Sequence, residues 1–168
     1  FFNVIVSAFK YIGKETTVFK LRQLLANKAT DEIYQNYKEL YTNFDNERKQ
    51  LMKKYKVCKK LLKELKKNSS LQTIKYTNEK TEECAKLKEL INDNELSRNE
   101  FKFVEDVNNL KEFKDKIKTS NFWADTWAIS TLEQLLNMKC IIFGEHLYND
   151  ETKDHVLQCG QLNDDELE

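Results

Sequence analysis

The sequence predicts an α+β fold that is predominantly helical. Three observations carry that expectation. Apolar residues recur at three- and four-residue steps through most of the chain, the mark of amphipathic helices. Proline is absent and glycine occurs only 3 times in 168 residues, so long helices meet few breakers. Residues 139–143 hold an apolar run with a β-branched pair, Ile141 and Ile142, which reads as a short buried strand.

The elements follow in order. Phe2, Ile5, Phe9 and Ile12 share one helical face, and Gly13 supplies a terminator. Thr16 or Thr17 opens a second helix, with Val18, Leu21, Leu24 and Leu25 inward and Lys20, Arg22 and Lys28 outward. Thr30 caps a third, whose first-turn acids Asp31 and Glu32 suit the helix dipole. Its apolar face is Ile33, Tyr37, Leu40, Tyr41 and Phe44.

The composition shifts at Asn46. Leu51, Tyr55, Cys58, Leu62 and Leu65 form a coiled-coil-like seam, and lysines crowd the other faces as far as Lys67. Residues 68–70 break the pattern. Cys84, Leu87 and Leu90 or Ile91 continue it in a more acidic helix, and Asn92-Asp93-Asn94 reads as another break. Ser97 and Glu100 form a capping box for a helix carrying Phe103, Val107, Leu110, Phe113 or Lys114, and Ile117. Residues 46–118 therefore read as a hairpin or bundle of long helices, its basic arm lying against its acidic one.

Residues 121–143 organise the rest. They hold both tryptophans, Trp123 and Trp127. Asp125 or Thr126 caps a helix with Ala128, Thr131, Leu132, Leu135 and Leu136 on one face. Asn137 takes the left-handed turn that ends it. The strand at 139–143 follows, with Cys140 in the core, then a polar loop containing His146. A second strand spans residues 155–159. Helix, turn and buried strand together imply that the helices meet a sheet here.

Composition excludes several function classes. The 28 basic and 28 acidic side chains leave a net charge of +0, so no overall field draws nucleic acid or anionic lipid. No apolar run approaches the roughly 20 residues needed to cross a bilayer. The four cysteines, Cys58, Cys84, Cys140 and Cys159, make no C-x-x-C pair and suit neither zinc nor a disulfide framework. Reduced thiols in a reducing compartment are expected, without secretion. His155 and Cys159 share a strand face but stand about 13 Å apart, too far for a nucleophile–base bond. There is no Gly-rich phosphate loop, no H-E-x-x-H and no ordered carboxylate cluster. No residue qualifies as a metal ligand or cofactor contact. The lysine-rich stretch 48–67 has the charge of a nucleic-acid footprint but only Tyr55 as an interleaved aromatic, and a solvated helix face is the plainer reading. The chain opens inside an apolar segment and stops just after a strand-like run, and it reads as part of a longer polypeptide.

Several segments resemble one family. The opening Phe1-Phe2-Asn3-Val4-Ile5, the segment Thr16-Thr17-Val18-Phe19-Lys20-Leu21-Arg22 and the run Phe122-Trp123-Ala124-Asp125 look like the ovarian-tumour (OTU) family of cysteine proteases, in particular OTU-like proteins of large DNA viruses. The Cys159-Gly160-Gln161 run with its acidic tail resembles the viral members too. The likeness covers residues 1–45 and 119–168, an incomplete OTU-like core, and makes 46–118 a helical insertion. It implies papain-like helices packed on a small sheet. It also implies hydrolysis of ubiquitin isopeptide bonds by a Cys thiolate, with ubiquitin or a ubiquitin-conjugated protein as partner. The host cytoplasm or a virion is the implied location. The family nucleophile would precede Phe1 and the family His would follow Glu168, so no residue here inherits a catalytic role. Two other readings stand beside it. One is a non-catalytic structural or interaction protein of a viral particle, with a protein partner for helices 46–118. The other is a helical nucleic-acid binder.

Overall fold

The computed structural model describes residues 1–67, 71–143 and 156–157. Six α-helices and one 3-10 turn occur among them: α1 (Phe2–Tyr11), α2 (Val18–Lys28), α3 (Asp31–Leu65), α4 (Leu71–Glu100), the turn Lys102–Val104, α5 (Leu110–Ile117) and α6 (Thr126–Leu136). The chain divides into two compact units, residues 1–31 with 108–168, and residues 32–107.

The first unit is built on α2, which packs against α1, α5 and α6. Its buried side chains include Phe2, Ile5, Leu21, Leu25, Phe113, Ile117, Phe122, Ala128 and Leu132. The expected punctuation is in place. Gly13 ends the first turn of chain after α1 with a φ of 74°, where a Cβ would be strained. Thr17 caps α2 by accepting from the Lys20 N–H. Asp125 caps α6 by accepting from the Ala128 N–H at 3.0 Å. Asn137 closes α6 with φ 47° and ψ 60°. Asp125→Ala is expected to cost the unit about 1 kcal/mol, the usual worth of an N-cap, read as a lower urea midpoint by tryptophan fluorescence.

The expected sheet is not there. The fold is helical, and the α+β arrangement of helices packed on a sheet is overturned. Of the anticipated strand 139–143, only β1 (Ile142–Phe143) is extended, pairing antiparallel with β2 (Val156–Leu157), Ile142 opposite Leu157 and Phe143 opposite Val156. Two residues a side make a bridge rather than a layer. The face of α6 that was to cover a sheet packs on α2 instead. Ile141 is 63% exposed and Cys140 is only half-buried, so neither is the core residue expected. The physical reason lies just upstream. The backbone N–H of Met138 bonds the Glu133 carbonyl, and the Cys140 N–H bonds the buried Glu133 carboxylate at 2.7 Å. These bonds hold the chain in a turn where a ladder would need it straight. A short apolar run does not by itself distinguish strand from turn. His146, His155 and Cys159 lie outside the described residues.

The second unit is a long antiparallel hairpin. The composition shift at Asn46 falls inside one helix: α3 runs 35 residues without interruption. Nor do Asn92-Asp93-Asn94 or the Ser97–Glu100 box mark an end, because α4 continues to Glu100 and the Ser97 hydroxyl donates to the Asp93 carbonyl inside the helix. The absence of proline and glycine lets both helices run on. Tyr34, Tyr37, Tyr41, Phe44, Arg48, Leu51, Tyr55, Cys58, Leu62 and Leu65 repeat at steps of three and four along α3, and all are buried or half-buried. On α4 the matching seam is Thr77, Lys80, Cys84, Leu87, Ile91, Asn94 and Arg98. Cross-links between the arms fix the register: Arg98 to Asp45 at 2.9 Å, Arg48 to Glu95 at 2.7 Å, Asn94 to Glu47 at 2.8 Å and Cys84 to Cys58 at 2.7 Å. In each pair the residue numbers add to 141–143, as one constant antiparallel register requires. The seam repeats with the three-and-four spacing of a heptad.

Past α4 the chain is clamped to α3. The Lys38 ammonium donates to the carbonyls of Val104, Glu105 and Val107 at 2.8–3.0 Å. Phe101 stacks on Phe44, and Phe103 meets Tyr37 edge-on. Tyr41 donates to the Glu105 carboxylate at 2.6 Å and also contacts Arg98, which reaches Asp45 and Glu105. Burial, with the Glu105 bond behind it, pushes the Tyr41 phenol up to about 12. The Lys49 hydrogen bond, reinforced by Arg98, holds Asp45 below the usual carboxylate range. The Tyr41 hydrogen bond and the Arg98 charge do the same for Glu105. A carboxyl depressed on folding stabilises the fold above its unfolded value and loses that contribution as pH falls through the folded one. The urea midpoint of the hairpin is therefore expected to drop below about pH 4. The double variant Asp45→Asn, Glu105→Gln should flatten that drop; an unchanged acid limb would refute the assignment.

Candidate functional site: a basic and aromatic cleft

The first unit contains a cleft of about 480 Å³. Phe1, Phe2 and Asn3 at the start of α1 form one wall, Val18, Phe19 and Arg22 of α2 the second, and Lys118, Ser120 and residues 122–124 the third. A size of several hundred Å³ with apolar walls and a few polar groups is typical of binding clefts.

Arg22 is the centre of the site. Sequence patterning put it outward, yet it is only 9% exposed. Its Nη1 donates to the Ile117 carbonyl at 2.9 Å and the Phe122 carbonyl at 3.1 Å. The first belongs to the last residue of α5, where the helix leaves carbonyls free and the dipole favours a cation. The second lies in the segment leading into α6. One side chain thus ties α2 to the end of α5 and the entrance of α6. The guanidinium carbon also sits 4.3 Å from the centroid of the Phe2 ring, a cation–π contact that fixes the start of α1. Burial lowers the Arg22 pKa, but a guanidinium stays charged in proteins.

That charge has no carboxylate opposite it among the described residues. No Asp or Glu lines the cleft, and Arg22 joins no ion pair there. Lys118 is occupied at 3.0 Å by Asp115, on the same stretch of chain. The aromatics stand open: Trp123 is 80% exposed and Phe19 64%. Such a lining suits an apolar or planar group against the rings, with an acidic group towards Arg22. Among the described residues Ser120 is the one hydroxyl in the lining, and no His or Cys stands with it. The cleft can hold a ligand; its residues alone form no nucleophile–base pair.

The position of Arg22, though not its burial, carries a spacing signal. It lies four residues after Val18 and three before Leu25, the spacing of a buried stripe. Trp123 was placed within the organising stretch, and the structure puts it beside Phe1 and Phe2 in one cleft. No group of three or more His, Cys, Asp or Glu among the described residues could hold a metal. No helix among them is long and apolar enough to cross a membrane.

The lysines of α3 lie on a solvated face. Lys53, Lys56, Lys60 and Lys63 are exposed and recur at steps of three and four. Among the described residues, Lys49 pairs with Asp45 of its own helix, and the ion pairs that cross the hairpin come from Arg48 and Arg98. Lysines outside the seam point away from α4, and a crossing bond would need them at its edge.

No family model, curated protein or solved structure matches the chain.

Proposed function

We propose that residues 1–168 are the helical part of an OTU-like thiol hydrolase acting on ubiquitin conjugates, supplying the substrate-facing cleft at the start of α1. The single observation behind this reading is the cleft itself. It brings together Phe1-Phe2-Asn3, Val18-Phe19-Arg22 and Phe122-Trp123-Ala124, the three separate segments that carry the family resemblance. The resemblance puts the nucleophile immediately ahead of Phe1, so the reacting carbonyl would lie at the mouth of this cleft. The open rings of Phe19 and Trp123 would then take the apolar side chains of the approaching polypeptide. On this reading residues 1–168 supply neither the nucleophile nor the general base of that hydrolysis.

The test uses the chain within its full reading frame, treated with ubiquitin carrying a C-terminal electrophile. The expected result is one covalent adduct per chain, formed about tenfold more slowly by Trp123→Ala, the size of effect a single exposed aromatic anchor gives. No adduct from a parent that has both Cys and His would refute the reading. A parent lacking either would favour the non-catalytic interaction protein.

The lysine stripe of α3 favours a second reading, a surface for a polyanion such as nucleic acid. Retention on DNA or RNA that falls steeply with salt would support it, because release of counterions drives such binding. Salt-insensitive or absent retention would end it.

A further inference from the structure

The seam of the hairpin contains a feature that neither reading uses. Cys58 on α3 and Cys84 on α4 are both buried and both unoxidised. They occupy facing positions of the heptad, set by the same register as the flanking polar pairs. Their sulfurs are 2.7 Å apart. The Cys84 thiol is directed at the Cys58 sulfur, and the Cys58 thiol at the Lys80 carbonyl at 3.4 Å.

The geometry points to Cys58 and Cys84 as a redox modification site, a pair that closes into one disulfide across the arms of the hairpin. A disulfide needs its sulfurs at about 2.05 Å, so roughly 0.7 Å of approach completes the bond. A zinc ion held tetrahedrally by two thiolates at about 2.3 Å would instead spread the sulfurs to about 3.8 Å. Oxidation therefore fits the separation better than metal binding.

The co-reactant is a small-molecule disulfide such as glutathione disulfide. One cysteine, as thiolate, attacks a sulfur of the oxidant, forming a mixed disulfide and releasing one thiolate. The second cysteine, as thiolate, attacks the protein sulfur of that mixed disulfide and displaces the other small thiolate. Two S–H bonds are lost and one S–S bond is gained. The two electrons reduce the oxidant to two thiols, which carry off the two protons. Burial, with the Cys84 contact behind it, pushes the Cys58 thiol up to about 11. The Cys58 thiolate is thus scarce in the closed hairpin, which slows its exchange there.

The whole chain is reduced, exchanged into glutathione disulfide, quenched in acid, alkylated and digested for mass spectrometry. One arm is run in buffer and one in urea near the unfolding midpoint followed by dilution. The expected product is a Cys58–Cys84 linked peptide pair lacking two hydrogens, with Cys140 and Cys159 alkylated or carrying glutathione. The urea midpoint of the oxidised chain should rise, and dithiothreitol should return it. Cys84→Ser should lose both the linked pair and the shift while keeping its helical circular dichroism. Glutathione on either cysteine without a cross-link in both arms would overturn the assignment, as would cross-links chiefly to Cys140 or between chains.

Discussion

Phe113→Ala is expected to destabilise the first unit by about 3–5 kcal/mol, the range for emptying a fully buried phenylalanine site. Phe113 is completely inaccessible and sits four residues before Ile117, which is also inaccessible. These two positions are the buried face of α5. A helix of 8 residues has no stability of its own in water, so packing on α2 is what maintains it. The loss therefore extends beyond a cavity: a loosened α5 withdraws the Ile117 carbonyl from Arg22. Both tryptophans, Trp123 and Trp127, belong to this unit, so urea unfolding followed by tryptophan fluorescence reads it selectively. Lys111→Ala, at an exposed position of the same helix, should stay within about 0.5 kcal/mol of the parent. A Phe113→Ala loss below about 1 kcal/mol would mean that α5 is not anchored as described.

Arg22→Ala is expected to cost about 2–4 kcal/mol, since two buried carbonyls lose a charged donor worth roughly 1.5–3 kcal/mol each and relax only partly. The same variant removes the cation facing Phe2. Arg22→Lys keeps the charge but not the planar fork, so one carbonyl at most should stay satisfied and about half the loss should remain. Combined with Phe113→Ala, the losses should fall short of additive, because both act through the end of α5. Full additivity would show that the Arg22–Ile117 bond carries nothing. Denaturant unfolding of the four variants settles the cycle.

The local punctuation of the fold was legible in the sequence. Thr17, Asp125, Asn137 and Gly13 each act through their own neighbouring backbone, and each does in the structure what its side chain favours. What depended on distant partners was not legible. Arg22 looked solvent-facing because amphipathic patterning sorts charges outward. Its burial is decided by carbonyls 95 and 100 residues away. Residues 92–94 and the Ser97–Glu100 pair looked like helix ends because their side chains compete with the helical backbone. In the hairpin those competitors are satisfied otherwise: Asn94 bonds Glu47 across the seam, and Ser97 bonds back to Asp93. The apolar run at 139–143 misled for the opposite reason. It is apolar enough for a strand, but Glu133 captures the Cys140 amide first. Of the cleft, the three segments were recognisable one by one, while their convergence is a property of how α1, α5 and α6 settle on α2.

Among the described residues the polar clamp between the arms lies at one end of the hairpin, between residues 45–48 and 94–98. Its arms are consequently free to change length in step. Removing seven residues from each arm beyond the clamp would shorten the hairpin by about 10 Å and leave every remaining seam residue facing its partner. Removing four from one arm alone would rotate its apolar stripe out of phase with the other. The hairpin is in that sense a spacer of adjustable reach, graduated in whole heptads.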